Sequence, residues 1–334
     1  MKNGRGDVAF DNVSNKDRIV MATTLPVRLA QSFVEFNHWY VFPTMKLVKN
    51  WWAVGFVYTG FKESSILKMK DGTMIMFKKS NVNELISRMR SLGLTEDTKR
   101  KFKVKINGNL ASLPLGKWKL HVRISTLSAV LHEFYEKPHK EMNVKGKIVV
   151  DIGAYMGETA LYYVIIGKAR RVYAYELFPF LSRLAQDNVR INRLTNRVKV
   201  FNEGIGGENG SIMISDSESS FGNLTAKHHK DKINIKLLSL DQVVKKFKIQ
   251  NGALKIDCEG YEYEIFRKTS SNALQAFDTI HIEYHYGYLD LVERLENEGF
   301  RVKHTRPIIN IKGFRKPMLN GDIIAVKAKR QERH

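Results

Sequence analysis

The C-terminal half of the sequence predicts an α/β fold, an open twisted sheet with helices on both faces. From Lys145 onward, short apolar segments alternate regularly with amphipathic ones. Strand–helix alternation favours parallel strands joined by helical crossovers. The first apolar segment also ends in a glycine-containing turn that opens a helical pattern. Because ligands of such sheets bind at the carboxyl ends of the strands, we expect the functional residues there.

Length and composition suggest two regions after a short tail. With 334 residues, 43% apolar and seven prolines, the chain has a globular composition. We predict a flexible tail at 1–20, a basic, aromatic-rich accessory region of helices and hairpins at 21–143, and the α/β domain at 144–330. The N-terminal segment lacks the apolar run of a signal peptide. The single cysteine, Cys258, argues against a disulfide framework and favours a reducing, cytoplasmic compartment.

The charge of +21 is unevenly distributed. Residues 1–146 carry 25 basic and 12 acidic side chains, a net +13. Such a field attracts nucleic acid, anionic lipid or acidic glycans, although it is also compatible with a merely soluble surface. Aromatic residues are dense between Phe33 and Phe61, but the uncharged stretch Trp51 to Gly60 is too short to span a bilayer. We expect no transmembrane segment, and leave open both peripheral membrane contact and protein packing.

Four elements are predicted in the accessory region. SSILKMK and TMIMFKK alternate apolar with polar residues around Asp71-Gly72, which predicts a hairpin. KFKVKI and NLASL around Asn107-Gly108 predict a second, weaker one. Residues 81–89 and 125–135 have helical patterns.

Seven strands are predicted in the α/β domain: KIVVDI, RRVYAYE, RVKVFN, ALKIDC, DTIHIEY, FRVKHT and DIIAVKA. The helices predicted between them cover 157–167, 179–192, 239–247, 260–268 and 287–298. This pattern corresponds to a three-layer sheet with right-handed connections.

The turn after the first strand has the spacing D-x-G-x-x-x-G, formed by Asp151, Gly153 and Gly157. A dinucleotide fingerprint would need G-x-G-x-x-G, and here Ala154 and Tyr155 stand where a pyrophosphate requires bare backbone. The spacing therefore favours a nucleoside ligand without phosphates. S-adenosylmethionine is such a ligand, since its carboxylate can use the helix N-terminus.

Residues after the second and third strands fit the same ligand. Glu176 ends the second strand 25 residues after Asp151, where a carboxylate can accept both ribose hydroxyls. A surface carboxylate is the alternative. Phe178 is a candidate for stacking near the adenine, and Asn202 and Glu203 for contacting its amine. Together with Asp151, Gly153, Tyr155 and Gly157, these residues form the predicted cofactor site.

Acidic residues cluster after the fourth strand: Asp257, Glu259, Glu262 and Glu264. The fifth strand ends with Glu283 and His285, and alternation places His281 on the same face. Strands four and five are neighbours in this type of sheet. We therefore expect the carboxylates and His285 to converge.

The ordered stretches VVDIGAYMGETALYY, VYAYELFP, FNEGIGG, LKIDCEGYEYEIF and IHIEYH resemble FkbM-type methyltransferases over about Val144 to Lys327. LHEFYEKP upstream resembles the family's lead-in. The resemblance implies a Rossmann-like, seven-stranded methyltransferase fold preceded by a smaller mixed α/β region. It also implies S-adenosylmethionine as cofactor and transfer to a hydroxyl, often of a carbohydrate or natural product. The family often has Asn where this chain has Tyr155.

Three residues are candidate bases for removing the hydroxyl proton: His285, Asp257 and Glu283. A strand-end histidine bonded to backbone is the alternative for His285. We place Glu259 and Glu262 on the substrate or metal side, with Phe221 in the polar segment 217–225. No metal is expected, although Asp257 and Glu259 could hold a divalent ion. His228-His229 lacks a third zinc ligand nearby in sequence.

Three functions stay open at this point. The first is an O-methyltransferase for a sugar, lipid-linked sugar or small molecule. The second is an RNA methyltransferase whose basic N-terminal region docks RNA. The third is a non-catalytic cofactor-binding scaffold, which would need no base. A homo-oligomer is compatible with all three.

Overall fold

The computed structural model describes residues 47–53, 56, 61–70, 74–78, 96–136, 140–215, 232–310 and 318–328. Several predicted features lie outside the described residues: the tail 1–20, the Asp71-Gly72 turn, helix 81–89, the segment 217–225 with Phe221, and His228-His229.

All seven predicted strands are present in one central sheet. These strands are β6 Ile148–Ile152, β7 Arg171–Tyr175, β8 Val198–Phe201, β12 Gly252–Ile256, β13 Phe277–Tyr284, β14 Phe300–His304 and β16 Met318–Lys327. Their order in the sheet is β14-β16-β13-β12-β6-β7-β8. Strands β13, β12, β6, β7 and β8 are parallel, as expected. The expectation of parallel pairing is wrong for β16, which runs antiparallel to β13 and β14 and also pairs with a short strand β15, Ile308–Asn310, that was not predicted.

Neighbouring residues of β6 belong to different hydrophobic clusters on the two faces of the sheet, so the domain has three layers. Val149 packs in one cluster with Leu161 of the following helix, while Val150 packs in the other with Ile265. Successive side chains of a strand point to opposite faces, so β6 is buried on both sides. The covering helices are α3 Glu158–Ile165, α4 Pro179–Ile191, α5 Leu240–Phe247, α6 Glu262–Lys268, α7 Ser271–Leu274 and α8 Leu289–Asn297. The five predicted helices are confirmed to within two residues at each end.

A second small sheet follows β8 and was not predicted. It consists of β9 Gly204–Gly206, β10 Gly210–Ser215 and β11 Lys232–Ser239. Strand β11 pairs antiparallel with β10 and parallel with β9. Strand β9 is only three residues long and contains two glycines, so its sequence carries no strand pattern.

The accessory residues 96–136 share a hydrophobic core with the α/β domain. They form α1 Glu96–Lys101, a three-stranded antiparallel sheet and a helical stretch over 124–136 whose α-helical part is α2, Leu127–Leu131. The sheet comprises β3 Lys105–Asn107, β4 Leu110–Leu115 and β5 Trp118–Arg123. The second predicted hairpin, around Asn107-Gly108, is confirmed as β3 paired with β4. Its loop is Gly108-Asn109, one residue later than expected. Asn188 of α4 and Asn192, which follows α4, bind the backbone of β5. Asn188 accepts from Arg123 N at 2.8 Å and Asn192 from His121 N at 3.0 Å.

The first predicted hairpin is also confirmed, as β1 Ser64–Lys68 paired with β2 Met74–Lys78. The side chain of Asn50 binds the free edge of β1 through Ile66 O and Lys68 N. Among the described residues, no helix combines the length and apolar character that crossing a bilayer requires.

Candidate active site

The turn after β6 leaves little room for a side chain at either of its two glycines. Gly153 has a φ of +74°, and a Cβ there would lie 1.8 Å from the carbonyl oxygen of Asp257. Gly157 has a φ of +83°, and its Cβ would lie 3.1 Å from Ala185 of α4. Tyr155 between them also has a positive φ, +48°. The turn is therefore pressed between the end of β12 and α4, and Gly157 serves helix packing.

Asp151 supports the turn from beneath. It is fully buried, and its Oδ2 accepts a hydrogen bond from Thr159 Oγ1 at 2.5 Å. Glu158, the first residue of α3, is also buried, and burial raises its pKa to about 8. Asp151 thus braces the strand-to-helix junction, whereas the buried Oε2 of Glu158 makes no hydrogen bond with the described part of the chain.

Lys255 is a site residue that the sequence reasoning missed. It is buried in β12, donates a hydrogen bond to Gly153 O at 2.7 Å, and lies 3.4 Å from Asp151 and 3.8 Å from Asp257. Burial opposes its charge, but the two aspartates outweigh burial and raise its pKa above the ordinary value. The sequence did contain a signal for this role, because Lys255 stands inside an otherwise apolar strand that is followed by Asp257, and a buried lysine needs a partner.

Glu176 lies at the end of β7, adjacent to the turn, as predicted. Its two carboxylate oxygens accept from Tyr155 N at 2.8 Å and Phe178 N at 2.9 Å. It is 5% exposed, and burial raises its pKa to about 7 against the effect of those hydrogen bonds and of Lys255. A carboxylate oxygen has two lone pairs, so each oxygen can accept one more hydrogen bond.

The two residues after β8 differ in what they contact. Asn202 donates to the carbonyl oxygens of Glu176 at 3.0 Å and Leu177 at 2.9 Å, so its amide group braces the backbone. Glu203 Oε1 lies 3.7 Å from Lys236, while its buried Oε2 makes no hydrogen bond with the described part of the chain. Phe178 is partly buried and precedes α4.

The predicted convergence on His285 is present for Asp257, Glu259, Glu262 and Glu283, whereas Glu264 is exposed beside Gly207. His285 Nε2 lies 3.8 Å from Asp257, 3.8 Å from Glu259 and 4.0 Å from Glu283. On its other side, His285 Nδ1 contacts the fully buried Glu262 at 2.9 Å. Together these five residues form what we call the acid–histidine cluster.

Glu262 fixes the geometry of this cluster. Its Oε1 also accepts from His285 N at 3.0 Å, and its Oε2 from Gly260 N at 2.9 Å. One carboxylate thus joins the start of α6 to the end of β13. His281, expected on the same face, is instead paired with Asp322 of β16 at 3.1 Å.

Electrostatics separates the pKa values of Glu283, near the end of β13, and His285, which follows β13. Burial by itself would lower the pKa of His285. The negative charges of Glu262, Asp257 and Glu259 outweigh burial and raise this pKa to about 10. Burial, followed by repulsion from Asp257, raises the pKa of Glu283 to about 8. This environment argues against His285 as the base, because His285 keeps its proton at neutral pH while Glu283 titrates near physiological pH.

The cluster has the chemistry of a proton-handling site and the spacing of a cation site. Ligand atoms of Asp257, Glu283 and His285 lie within 4.8 Å of one another, which is compatible with a divalent ion. Exposed carboxylates group in this way without an ion as well, so the expectation of no metal stays a prediction.

Comparison with known proteins finds a family model that matches most of the α/β domain. Residues 151–302 match the model of the family described as "Methyltransferase FkbM domain". No curated protein matches the chain.

Several solved structures are similar to the chain. Methyltransferase FkbM from Methylobacillus flagellatus KT has 17% identity and a TM-score of 0.37, over 60% of this chain and 54% of that one. TrmK from M. capricolum, in complex with S-adenosyl-homocysteine, has 15% identity and a TM-score of 0.36, over 55% and 63%. The putative transferase PH0793 from Pyrococcus horikoshii has 12% identity and a TM-score of 0.37, over 77% and 88%. The chain thus spans less than two thirds of the length of the first two.

Proposed function

We propose that this chain, whose residues 151–302 match the methyltransferase FkbM domain, is an S-adenosylmethionine-dependent O-methyltransferase. We propose that it acts on a hydroxyl of a sugar, glycolipid or related small molecule. One observation carries the proposal. The nucleoside-type turn with Glu176 and the acid–histidine cluster lie at the same end of the sheet, connected through Lys255 between Asp151 and Asp257.

The cofactor side fits a nucleoside with a free diol. Glu176 is oriented by two backbone amides and keeps acceptor capacity on both oxygens, which suits the 2′- and 3′-hydroxyls of a ribose. The buried Oε2 of Glu203 offers an acceptor for an amino group such as that of adenine. When bound, S-adenosylmethionine supplies a methyl group made electrophilic by its sulfonium.

The acceptor side provides a base and a fixed positive charge. We assign the base role to Glu283, because a carboxylate with a pKa of about 8 can accept a hydroxyl proton at neutral to mildly alkaline pH. His285, protonated and held by Glu262, serves as a positioning residue for the carboxylates around it. Asp257 offers a hydrogen-bond acceptor for another hydroxyl of a polyhydroxylated substrate.

This assignment favours catalysis over a scaffold role. A binding-only protein needs no partly buried carboxylate of raised pKa beside the cofactor turn, and perturbed acidic groups concentrate at catalytic sites. A hydroxyl acceptor also explains why a base is present, since a neutral oxygen nucleophile must lose its proton during methyl transfer.

Isothermal titration of S-adenosylmethionine and S-adenosylhomocysteine into the full chain tests the cofactor assignment. We expect both ligands to bind, and binding of neither at millimolar concentration would remove the proposal. A labelled-methyl assay with sugars, lipid-linked sugars and RNA then tests the acceptor class. Incorporation into RNA alone would contradict the sugar or glycolipid assignment while leaving the methyltransferase assignment intact.

A further inference from the structure

The N-terminal hairpin unit, residues 47–53, 56, 61–70 and 74–78, exposes an unusual amount of apolar surface. Among the described residues, seven of the fourteen exposed large hydrophobic side chains belong to it: Trp51, Trp52, Phe56, Phe61, Ile66, Met74 and Met76. Soluble monomers rarely concentrate exposed apolar groups in this way unless the surface contacts a partner or a membrane.

This exposure is not a failure to form a core, because the unit has an inner face. Leu67 is completely buried, and Val48 and Met69 are buried and joined by a backbone bridge. Successive side chains of a strand point to opposite faces, so Ile66 lies on the face opposite to the buried Leu67. Ile66 pairs with Met76 of β2, and both side chains are exposed. The apolar outer face is therefore additional to a packed inner one.

Exposed lysines accompany the apolar side chains. Lys49, Lys62, Lys68 and Lys70 are exposed, whereas Glu63 is the acidic residue in the described part of the unit. Lys68 pairs with Met74 on the outer face, next to the Ile66–Met76 pair. Aromatic and aliphatic groups beside lysines are typical of surfaces that enter the headgroup region of a bilayer, where the rings and lysine stems contact apolar chains and the ammonium groups contact phosphates.

We propose that this unit docks on an anionic lipid membrane. A second copy of the chain is a poorer occupant, because self-pairing would bring the lysines of two strongly basic chains together. A nucleic acid would use the lysines but leave the aliphatic Ile66, Met74 and Met76 without a role. The inference does not depend on methyl transfer, and lipid binding can be measured without the cofactor.

Sedimentation of the full chain with vesicles tests the proposal. We expect binding to phosphatidylcholine vesicles that contain phosphatidylserine, weak binding to pure phosphatidylcholine, and loss of binding as salt increases. Replacing two lysines, Lys62→Gln with Lys68→Gln, should weaken binding about 25-fold, since each lysine near an anionic surface contributes about five-fold. The matched control, Lys245→Gln with Lys303→Gln, removes the same charge from exposed positions of the α/β domain and should change binding little.

A second pair of variants tests the apolar part. Ile66→Ser with Met76→Ser should weaken vesicle binding about ten-fold, because each side chain forfeits part of its transfer free energy. Met213→Ser with Val326→Ser removes side chains of comparable exposure from the α/β domain and serves as the control. Circular dichroism and thermal melting establish that the variants remain folded.

Three results would overturn the proposal. The first is no binding of the wild-type chain to anionic vesicles. The second is equal weakening by the hairpin lysine variant and its control, which would indicate overall charge alone. The third is unchanged vesicle binding in the Ile66/Met76 variant together with tight poly(U) binding that needs Lys62 and Lys68, which would indicate a nucleic-acid surface.

Discussion

Replacing Glu176 by Gln separates its proposed role in cofactor binding from the loss of folding stability that its buried negative charge causes. Burial raises the pKa of Glu176 from 4.5 to about 7, and at ~1.4 kcal/mol per pKa unit the ionised group costs the folded state about 3 kcal/mol. The carboxyl group is neutral in both states below pH 4.5. The free energy of unfolding of the wild type therefore falls as pH rises from 4.5 through about 7. A glutamine at this position does not ionise, so the variant does not show this fall.

We expect opposite consequences for folding and for cofactor binding. Urea unfolding at about pH 5 and about pH 8 should show that Glu176→Gln gains up to about 3 kcal/mol relative to wild type over that interval. At both pH values the variant also loses about 1–3 kcal/mol, because the glutamine oxygen can accept from only one of Tyr155 N and Phe178 N and the amide nitrogen faces the other. Cofactor affinity should fall about 10- to 150-fold, the equivalent of one hydrogen bond to a charged acceptor.

Titration calorimetry with S-adenosylmethionine measures the affinity. Glu208→Gln is the matched control, because Glu208 is a surface carboxylate paired with Lys268. Unchanged affinity in a folded Glu176→Gln variant would refute the assignment of Glu176 to the ribose hydroxyls. An affinity loss accompanied by a collapse of stability at both pH values would instead show that Glu176 acts mainly through the turn.

Further predictions concern the base, the turn and the buried lysine. Glu283→Gln should lower kcat about 10²- to 10⁴-fold, and should abolish a rise of rate with pH centred near the pKa of about 8, measured by initial rates across pH. Gly153→Ala should destabilise the fold by several kcal/mol or prevent soluble expression, because its Cβ would lie 1.8 Å from the carbonyl oxygen of Asp257 at a φ of +74°. Lys255→Met should cost about 3–5 kcal/mol in thermal or urea unfolding, since it leaves Asp151 buried beside an apolar side chain.

Each of these predictions can fail in a specific way. A pH profile that keeps its alkaline rise in Glu283→Gln would assign the titration to another group. A Gly153→Ala protein of wild-type stability would mean that the turn relaxes more easily than its close approach indicates. If Lys255→Met unfolds like wild type while Lys199→Met, an exposed control on β8, does the same, the buried charge network contributes little.

The positions of the elements and of most site residues could be predicted from the sequence, because both depend on local patterns. Short apolar runs locate β6, β7, β8, β12 and β13, and parallel strands bring their carboxyl ends to one edge. Asp257 and His285 follow two neighbouring strands of that edge. Their approach to 3.8 Å follows from this topology.

Other features depend on contacts between distant parts of the chain, and only the tertiary structure decided them. The pKa of His285 is set by carboxylates on α6 and in the loop between β12 and α6, so no local pattern reveals that it keeps its proton. Lys255 is a strand residue whose partners lie across the sheet. The short strand β9 forms only because β11 returns beside it from a later part of the chain. Sequence thus determined which chemical groups reach the site, and burial and through-space charge determined the state in which each of them is held.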